Sequence, residues 1–187
     1  MREIKCEHCY PKKPCYYNVY KLCDSKCKLF DLDLFNDECH LEDLENERPS
    51  WEKTFIEIAK VISKRSKDPH TKVGAVLVKN NCIIGTGYNG DPRNFRYEFD
   101  WNTPEKYDYV VHAEMNALAN ACYNGCEVKD SDIYLTLSPC NHCILQLIQF
   151  GVKRVFYLKE YKDFELTKKI ADNSDIQLIK LGEEYEN

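Results

Sequence analysis

Two short strings, VVHAEMNA (residues 110–117) and LTLSPCNHC (135–143), put metal-binding side-chain types where the chain passes into a helix. In the first, an apolar pair precedes His112 and Glu114, and Met115, Leu118, Ala119 and Cys122 then follow at helical spacing. In the second, a strand-like run precedes Cys140 and Cys143, and an apolar helical pattern follows as far as Gly151. Cys140 lies 28 residues after His112, so a chain that uses both must bring two helix starts to one edge of a sheet. Open α/β sheets build their sites at the carboxyl ends of strands. A Cys-x-x-Cys alone can be a redox dithiol, half of a structural zinc site, or two of three ligands at a catalytic metal, and is more often structural than catalytic.

The surrounding pattern agrees with such a sheet. Ser50 is a plausible N-cap for a helix with Trp51, Phe55, Ile58, Ala59 and Ile62 on its apolar stripe. KVGAVLVK and CIIGTGY read as two strands joined by a turn at Asn80-Asn81. A long polar and aromatic loop, RNFRYEFDWNTPEKYDY, leads to the helix from His112 to Tyr123, with Gly125 near its C-terminal cap. DIYLTL, VKRVFYL and IQLIKL are further strands, and a last helix is expected near Glu165–Asp172. The order α-β-β-α-β-α-β-α-β predicts an α/β fold with helices on both faces of a sheet whose later strands are parallel.

Residues 1–47 stand apart from this pattern as a Cys-rich N-terminal extension, with residues 48–187 as the main domain. The extension holds Cys6, Cys9, Cys15, Cys23, Cys27 and Cys39, six of the eleven cysteines in the chain. Cys6-x-x-Cys9 with Cys23-x-x-x-Cys27 predicts a Cys₄ structural zinc site, for which Cys15, Cys39, His8 and His40 are alternative ligands. A short segment with few core formers gains folding free energy from a metal directly. The Met1 end carries no apolar leader, and no apolar run approaches the ~18 residues of a membrane span. Reduced thiols and metal ligands are therefore expected rather than disulfides, in a soluble cytoplasmic protein. The net charge of −5 argues against a polynucleotide partner.

One imidazole and two thiolates make a tetrahedral zinc site that leaves the fourth position to water, the catalytic rather than the closed structural arrangement. Helix N-termini favour anions, which biases Cys140 and Cys143 toward the thiolates that bind metal. Zinc lowers the pKa of bound water from ~15.7 toward ~7 and so yields a hydroxide nucleophile. Glu114, two residues from His112, can lie beside the metal without ligating it. There it can take a proton from the water and pass it to a ring nitrogen and a departing amine. His142, between the two cysteines, reads as an exposed helix residue.

H-x-E followed by P-C-x-x-C is the signature of zinc nucleobase deaminases. With the blocks SKRSKDPHTKVGA, IIGTGYNGDP, KYDYVVHAEMNA, TLSPCNHC and GVKRVFYL in that order, the chain resembles the cytidine deaminase superfamily over about residues 50–163. Within that superfamily it resembles the deoxycytidylate (dCMP) deaminases, the GYNG run being the most discriminating block. The resemblance implies a three-layer αβα cytidine-deaminase-like fold with a mixed five-stranded sheet. It also implies hydrolysis of dCMP to dUMP and ammonia, feeding thymidylate synthesis, with zinc-bound hydroxide attacking C4. His112, Cys140 and Cys143 match the zinc ligands and Glu114 the proton shuttle. Asn89 matches the residue that holds the sugar. Arg65 or Lys72 is the expected 5′-phosphate donor, and Tyr161 is a further candidate.

The resemblance further implies a homo-oligomer, often a hexamer, with dCTP and dTTP as effectors together with Mg2+. Two departures bear on this. Asp91 stands between GYNG and Pro92, where a carboxylate would repel a triphosphate, and the 91–111 loop lacks the Cys/His ligands that some relatives use for a second zinc. Two other functions fit the residues less well. A deaminase of another cytosine nucleotide, a nucleoside or an RNA base would want a pocket without phosphate donors or a basic groove. A catalytically inactive, zinc-stabilised binding module would have no need of Glu114.

Overall fold

The computed structural model describes residues 48–185. The chain divides into units Met1–Glu47 and Arg48–Asn187. The Cys₄ site expected at Cys6, Cys9, Cys23 and Cys27 lies outside the described residues. Among those residues no helix is long and apolar enough to cross a membrane.

Helix α1 (Trp51–Ser63) begins at Ser50, whose Oγ accepts a hydrogen bond from Lys53 N at 3.1 Å. Glu52 in the first turn complements the positive end of the helix dipole. The buried face is Phe55, Ile56 and Ala59, so it is rotated from the expected stripe. Trp51 is 45 % exposed and stacks on Phe55, while Ile56 is fully enclosed. Strands β1 (Gly74–Lys79) and β2 (Cys82–Tyr88) form an antiparallel hairpin. Its two turn residues, Asn80 and Asn81, have φ of 52° and 59°, the left-handed pair that suits a two-residue turn to the strand twist.

Strands β3 (Asp132–Leu137), β4 (Arg154–Lys159) and β5 (Gln177–Lys180) complete a sheet of order β2-β1-β3-β4-β5. β1 pairs antiparallel with β2 and β3, whereas β3–β4 and β4–β5 are parallel. This is the expected mixed five-stranded sheet with its later strands parallel. Side chains alternate between two apolar layers, as period-2 geometry demands. Val76, Val78, Tyr134, Phe156 and Leu158 meet Phe55, Ile56 and Ala59 of α1. Ala75, Leu77, Ile133, Leu135, Val155 and Tyr157 face the opposite way. There they meet helices formed later in the chain: α3 (Ala113–Tyr123), α4 (Asn141–Gln149) and α5 (Phe164–Ala171). Gly125 and Gly151, both at φ 73°, follow α3 and α4 and end them in the left-handed conformation.

The 91–111 loop is not wholly irregular. It contains a one-turn helix, α2 (Lys106–Tyr109), which the polar sequence did not predict. Phe95, Tyr97, Phe99, Trp101 and Tyr109 pack together in it with ring centroids 4.9–6.3 Å apart. Stacked and edge-on contacts of this kind give a polar loop a small apolar centre of its own.

α3 packs closely on β2. Ala113, Ala117 and Ala121 recur every fourth residue on α3, opposite Gly85 and Gly87. A Cβ added at Gly87 would lie 2.2 Å from Ala113 O and 2.4 Å from Ala117 N. Both are backbone atoms, so the whole helix would have to move. Gly87→Ala is expected to destabilise the domain by about 1–3 kcal/mol, the usual cost of overpacking. Thermal unfolding checks this, and an unchanged midpoint would show that α3 does not need so close a seat.

Candidate active site

β1 is antiparallel to both of its neighbours, so β2 and β3 run in the same direction, and β4 runs parallel to β3. The carboxyl ends of β2, β3 and β4 therefore open on one edge of the sheet, together with the start of β1. Asn89 follows β2, Ser138 follows β3, Tyr161 lies just beyond β4 and Val73 precedes β1. All four residues line a cavity of about 240 Å³ at that edge.

Two helices begin beside this cavity. His112 is the N-cap of α3 and Cys140 the N-cap of α4, and neither side chain makes a capping hydrogen bond. An N-cap residue has non-helical backbone angles, which turns its side chain off the helix axis. Here the two side chains converge. His112 Nδ1 lies 3.5 Å from Cys140 Sγ and 3.3 Å from Cys143 Sγ. The three ligand atoms all lie within 4.8 Å of one another. Tetrahedral zinc, with bonds of ~2.0–2.1 Å to nitrogen and ~2.3 Å to sulfur, sets such N···S edges at about 3.5 Å. The donor set therefore fits zinc in both type and spacing. His142 points outward and is exposed, as expected for a non-ligand.

The site's electrostatics follow from burial and from the two sulfurs. The Cys143 thiol donates to Cys140, and this bond holds the Cys140 thiol down at about 3, although burial opposes it. The same bond, with burial, pushes the Cys143 thiol up. A divalent cation that binds both sulfurs as thiolates would displace their protons. His112 is raised, first by its hydrogen bond with Cys140. Glu114, at the second position of α3, is only 4 % exposed. Burial pushes its carboxyl up to about 7, against the pull of its own backbone N–H and of His112. A carboxyl that exchanges its proton near neutral pH is suited to general acid–base work.

The other expected site residues divide. Asn89 lines the cavity, but both ends of its amide already hold the chain: Nδ2 donates to Thr71 O and Oδ1 accepts from Val73 N, each at 2.8 Å. One Nδ2 hydrogen and one Oδ1 lone pair are left for a ligand. Tyr161 also lines the cavity, and its N–H donates to Ser138 Oγ at 2.9 Å. Arg65 and Lys72 are exposed and are not among the cavity-lining residues. Asp91 Oδ2 is paired with Lys67 Nζ at 2.9 Å. The cavity also contains residues that the sequence did not single out, chiefly Asp68, Lys106 and Tyr107. Lys106 and Tyr107 open the block KYDYVVHAE, so the signal was their nearness to His112.

The sequence pattern of the cytidine and deoxycytidylate deaminase zinc-binding region matches residues 49–159. A probable deoxycytidylate deaminase from Caenorhabditis elegans is 43 % identical over 143 residues, covering 70 % of this chain and 71 % of the relative. The deoxycytidylate deaminase of Homo sapiens is 38 % identical over 118 residues, covering 59 % of this chain and 65 % of the relative. Among solved structures, the dCMP deaminase of cyanophage S-TIM5 in complex with dCMP and dUMP superposes with a TM-score of 0.61 at 29 % identity. That superposition covers 72 % of this chain and 98 % of the phage protein.

Proposed function

The chain belongs to the cytidine and deoxycytidylate deaminase zinc-binding family, and from that premise we propose that it hydrolyses dCMP to dUMP and ammonia. The observation that carries the proposal is the meeting of His112, Cys140 and Cys143 with the buried carboxyl of Glu114 at one cavity. The two cysteines and the histidine would hold zinc, whose Lewis acidity would supply a water nucleophile near neutral pH. Glu114 would take one proton from the water and deliver it to N3 of the cytosine ring, then take the second from the oxygen added at C4 and deliver it to the amine as the C4–N bond breaks and ammonia leaves. The carboxyl, buried two residues from His112, is placed to take and give the proton. Burial also excludes bulk water from the carboxyl, so the proton passes to substrate and is not lost to solvent.

In this reading Asn89 holds the deoxyribose and Tyr161 is a candidate for the 5′-phosphate, supported by their place in the cavity lining. The exposed cations Arg65 and Lys72 serve the phosphate only from outside the cavity lining. The same reading includes a cytoplasmic homo-oligomer, with a hexamer as the expected form, and dCTP and dTTP effectors bound with Mg2+. It also includes a second, structural zinc at Cys6, Cys9, Cys23 and Cys27, in the extension 1–47.

Purified full-length protein offered dCMP, deoxycytidine, dCTP and cytosine is expected to release ammonia from dCMP in preference to the others. Consumption of deoxycytidine with dCMP untouched would defeat the proposed substrate, and no turnover of any of them would favour a binding module. Zinc content of the same preparation is expected near two per chain. A value near one removes the structural site and leaves the catalytic one.

A further inference from the structure

An ion pair that the deamination chemistry does not use lines the same cavity. Lys106 Nζ lies 2.8 Å from Asp68 Oδ2, and the two side chains are only 8 % and 7 % exposed. Desolvating two charges is costly, and apolar residues of similar volume often fill such a place more stably. The pair's bonds to its surroundings show what it holds. Asp68 Oδ1 accepts from His70 N at 2.8 Å and from Thr71 N at 3.1 Å, which fixes the turn after α1. Burial alone would raise the Asp68 carboxyl; Lys106 and these two amides outweigh it and hold the carboxyl below its usual range.

From that turn the bonds continue to both sides of the site. Thr71 O accepts from Asn89 Nδ2, and Val73 N donates to Asn89 Oδ1. Gly90, the next residue, exchanges two backbone hydrogen bonds with Val111, at 3.1 and 3.0 Å. Val110 N donates to Lys106 O at 2.9 Å, which closes the circuit on α2. His112 is the first residue beyond it, and Glu114 follows two residues later. Within this circuit only the Lys106–Asp68 contact joins two charged side chains, and it bridges 38 residues of sequence.

We propose that Lys106 and Asp68 form a charged clasp that positions Asn89 and the His112–Glu114 segment for turnover. Lys106 is then a positioning residue and does not touch the substrate. The clasp rests on the deaminase reading, and its test separates the two.

Lys106→Met, Asp68→Asn, their double variant and Lys106→Arg are compared with wild type in the full chain. Lys106→Met is expected to lower kcat for dCMP about ten- to hundredfold, the scale of a small misplacement at a reacting centre. Zinc content should stay at the wild-type value. Hydrogen exchange at the amides of His70, Thr71 and Val73 should quicken, while Val76 and Leu135 in the sheet keep wild-type rates. The double variant should lose less than the sum of the single losses, because it leaves no lone buried charge. Lys106→Arg should recover part of kcat. If Lys106→Met raises KM for dCMP with kcat unchanged and leaves deoxycytidine turnover intact, Lys106 binds the phosphate and the clasp is overturned. Unchanged exchange at the three loop amides overturns it equally. Should wild type turn over none of the cytosine compounds, the deaminase reading fails by itself, and the exchange rates still decide whether the pair holds the loop.

Discussion

Glu114→Gln is expected to reduce deamination by a factor of about 10²–10⁴, the usual contribution of a positioned general acid–base group. The amide keeps the carboxylate's shape and burial but cannot take up and release a proton. The variant should keep its metal, since His112, Cys140 and Cys143 are untouched. A second readout separates chemistry from folding. In the metal-stripped protein the Glu114 carboxyl is raised to about 7, so between its ordinary value of about 4.3 and that point the folded state binds more protons than the unfolded one. Stability then falls as pH rises through this window. Glu114→Gln removes the titration, so the stripped variant should lose less stability than stripped wild type between pH ~4.3 and ~7. A variant that keeps wild-type turnover would show that Glu114 does not move the proton. One that loses turnover together with its zinc would show that the carboxylate supports the metal instead.

The parts of the site legible in the sequence are those that local structure dictates. His112 and Cys140 meet because each is an N-cap, a position marked by the change from a strand or loop pattern to a helical one. The Asn80-Asn81 turn and the parallel later strands were legible for the same reason, since turn chemistry and element order are local signals. The rest depends on long-range packing. The face of α1 is set by what the sheet offers, which is why Ile56 is enclosed and Trp51 is half exposed. Arg65 and Lys72 look like phosphate donors on charge alone, but both are exposed and neither lines the cavity. Lys106 looks like an ordinary solvated lysine until its partner is known, and that partner lies 38 residues earlier. Nor does the text of the chain distinguish a free Asp91 from one paired with Lys67, which lies 24 residues away.

Cys143→Ser is expected to abolish turnover and to take the catalytic zinc with it. The sulfur lies 3.3 Å from His112 Nδ1 and the residue is only 3 % exposed, in the first turn of α4 beside Ile144. Serine is nearly the same size, so packing changes little, but its hydroxyl stays protonated at neutral pH and binds zinc far less well than a thiolate. Zinc per chain should therefore fall by one relative to wild type, whatever the extension contributes. The stability change has a defined form. A ligand that binds only the folded state stabilises it by about 2.7 kcal/mol at a hundredfold excess over Kd. Added zinc should accordingly raise the unfolding temperature of stripped wild type more than that of stripped Cys143→Ser. His142→Ala provides the control, because the exposed ring one residue away should leave zinc content and turnover unaltered. The opposite pattern, zinc lost with His142 and kept without the Cys143 sulfur, would replace the ligand set that the two helix starts bring together.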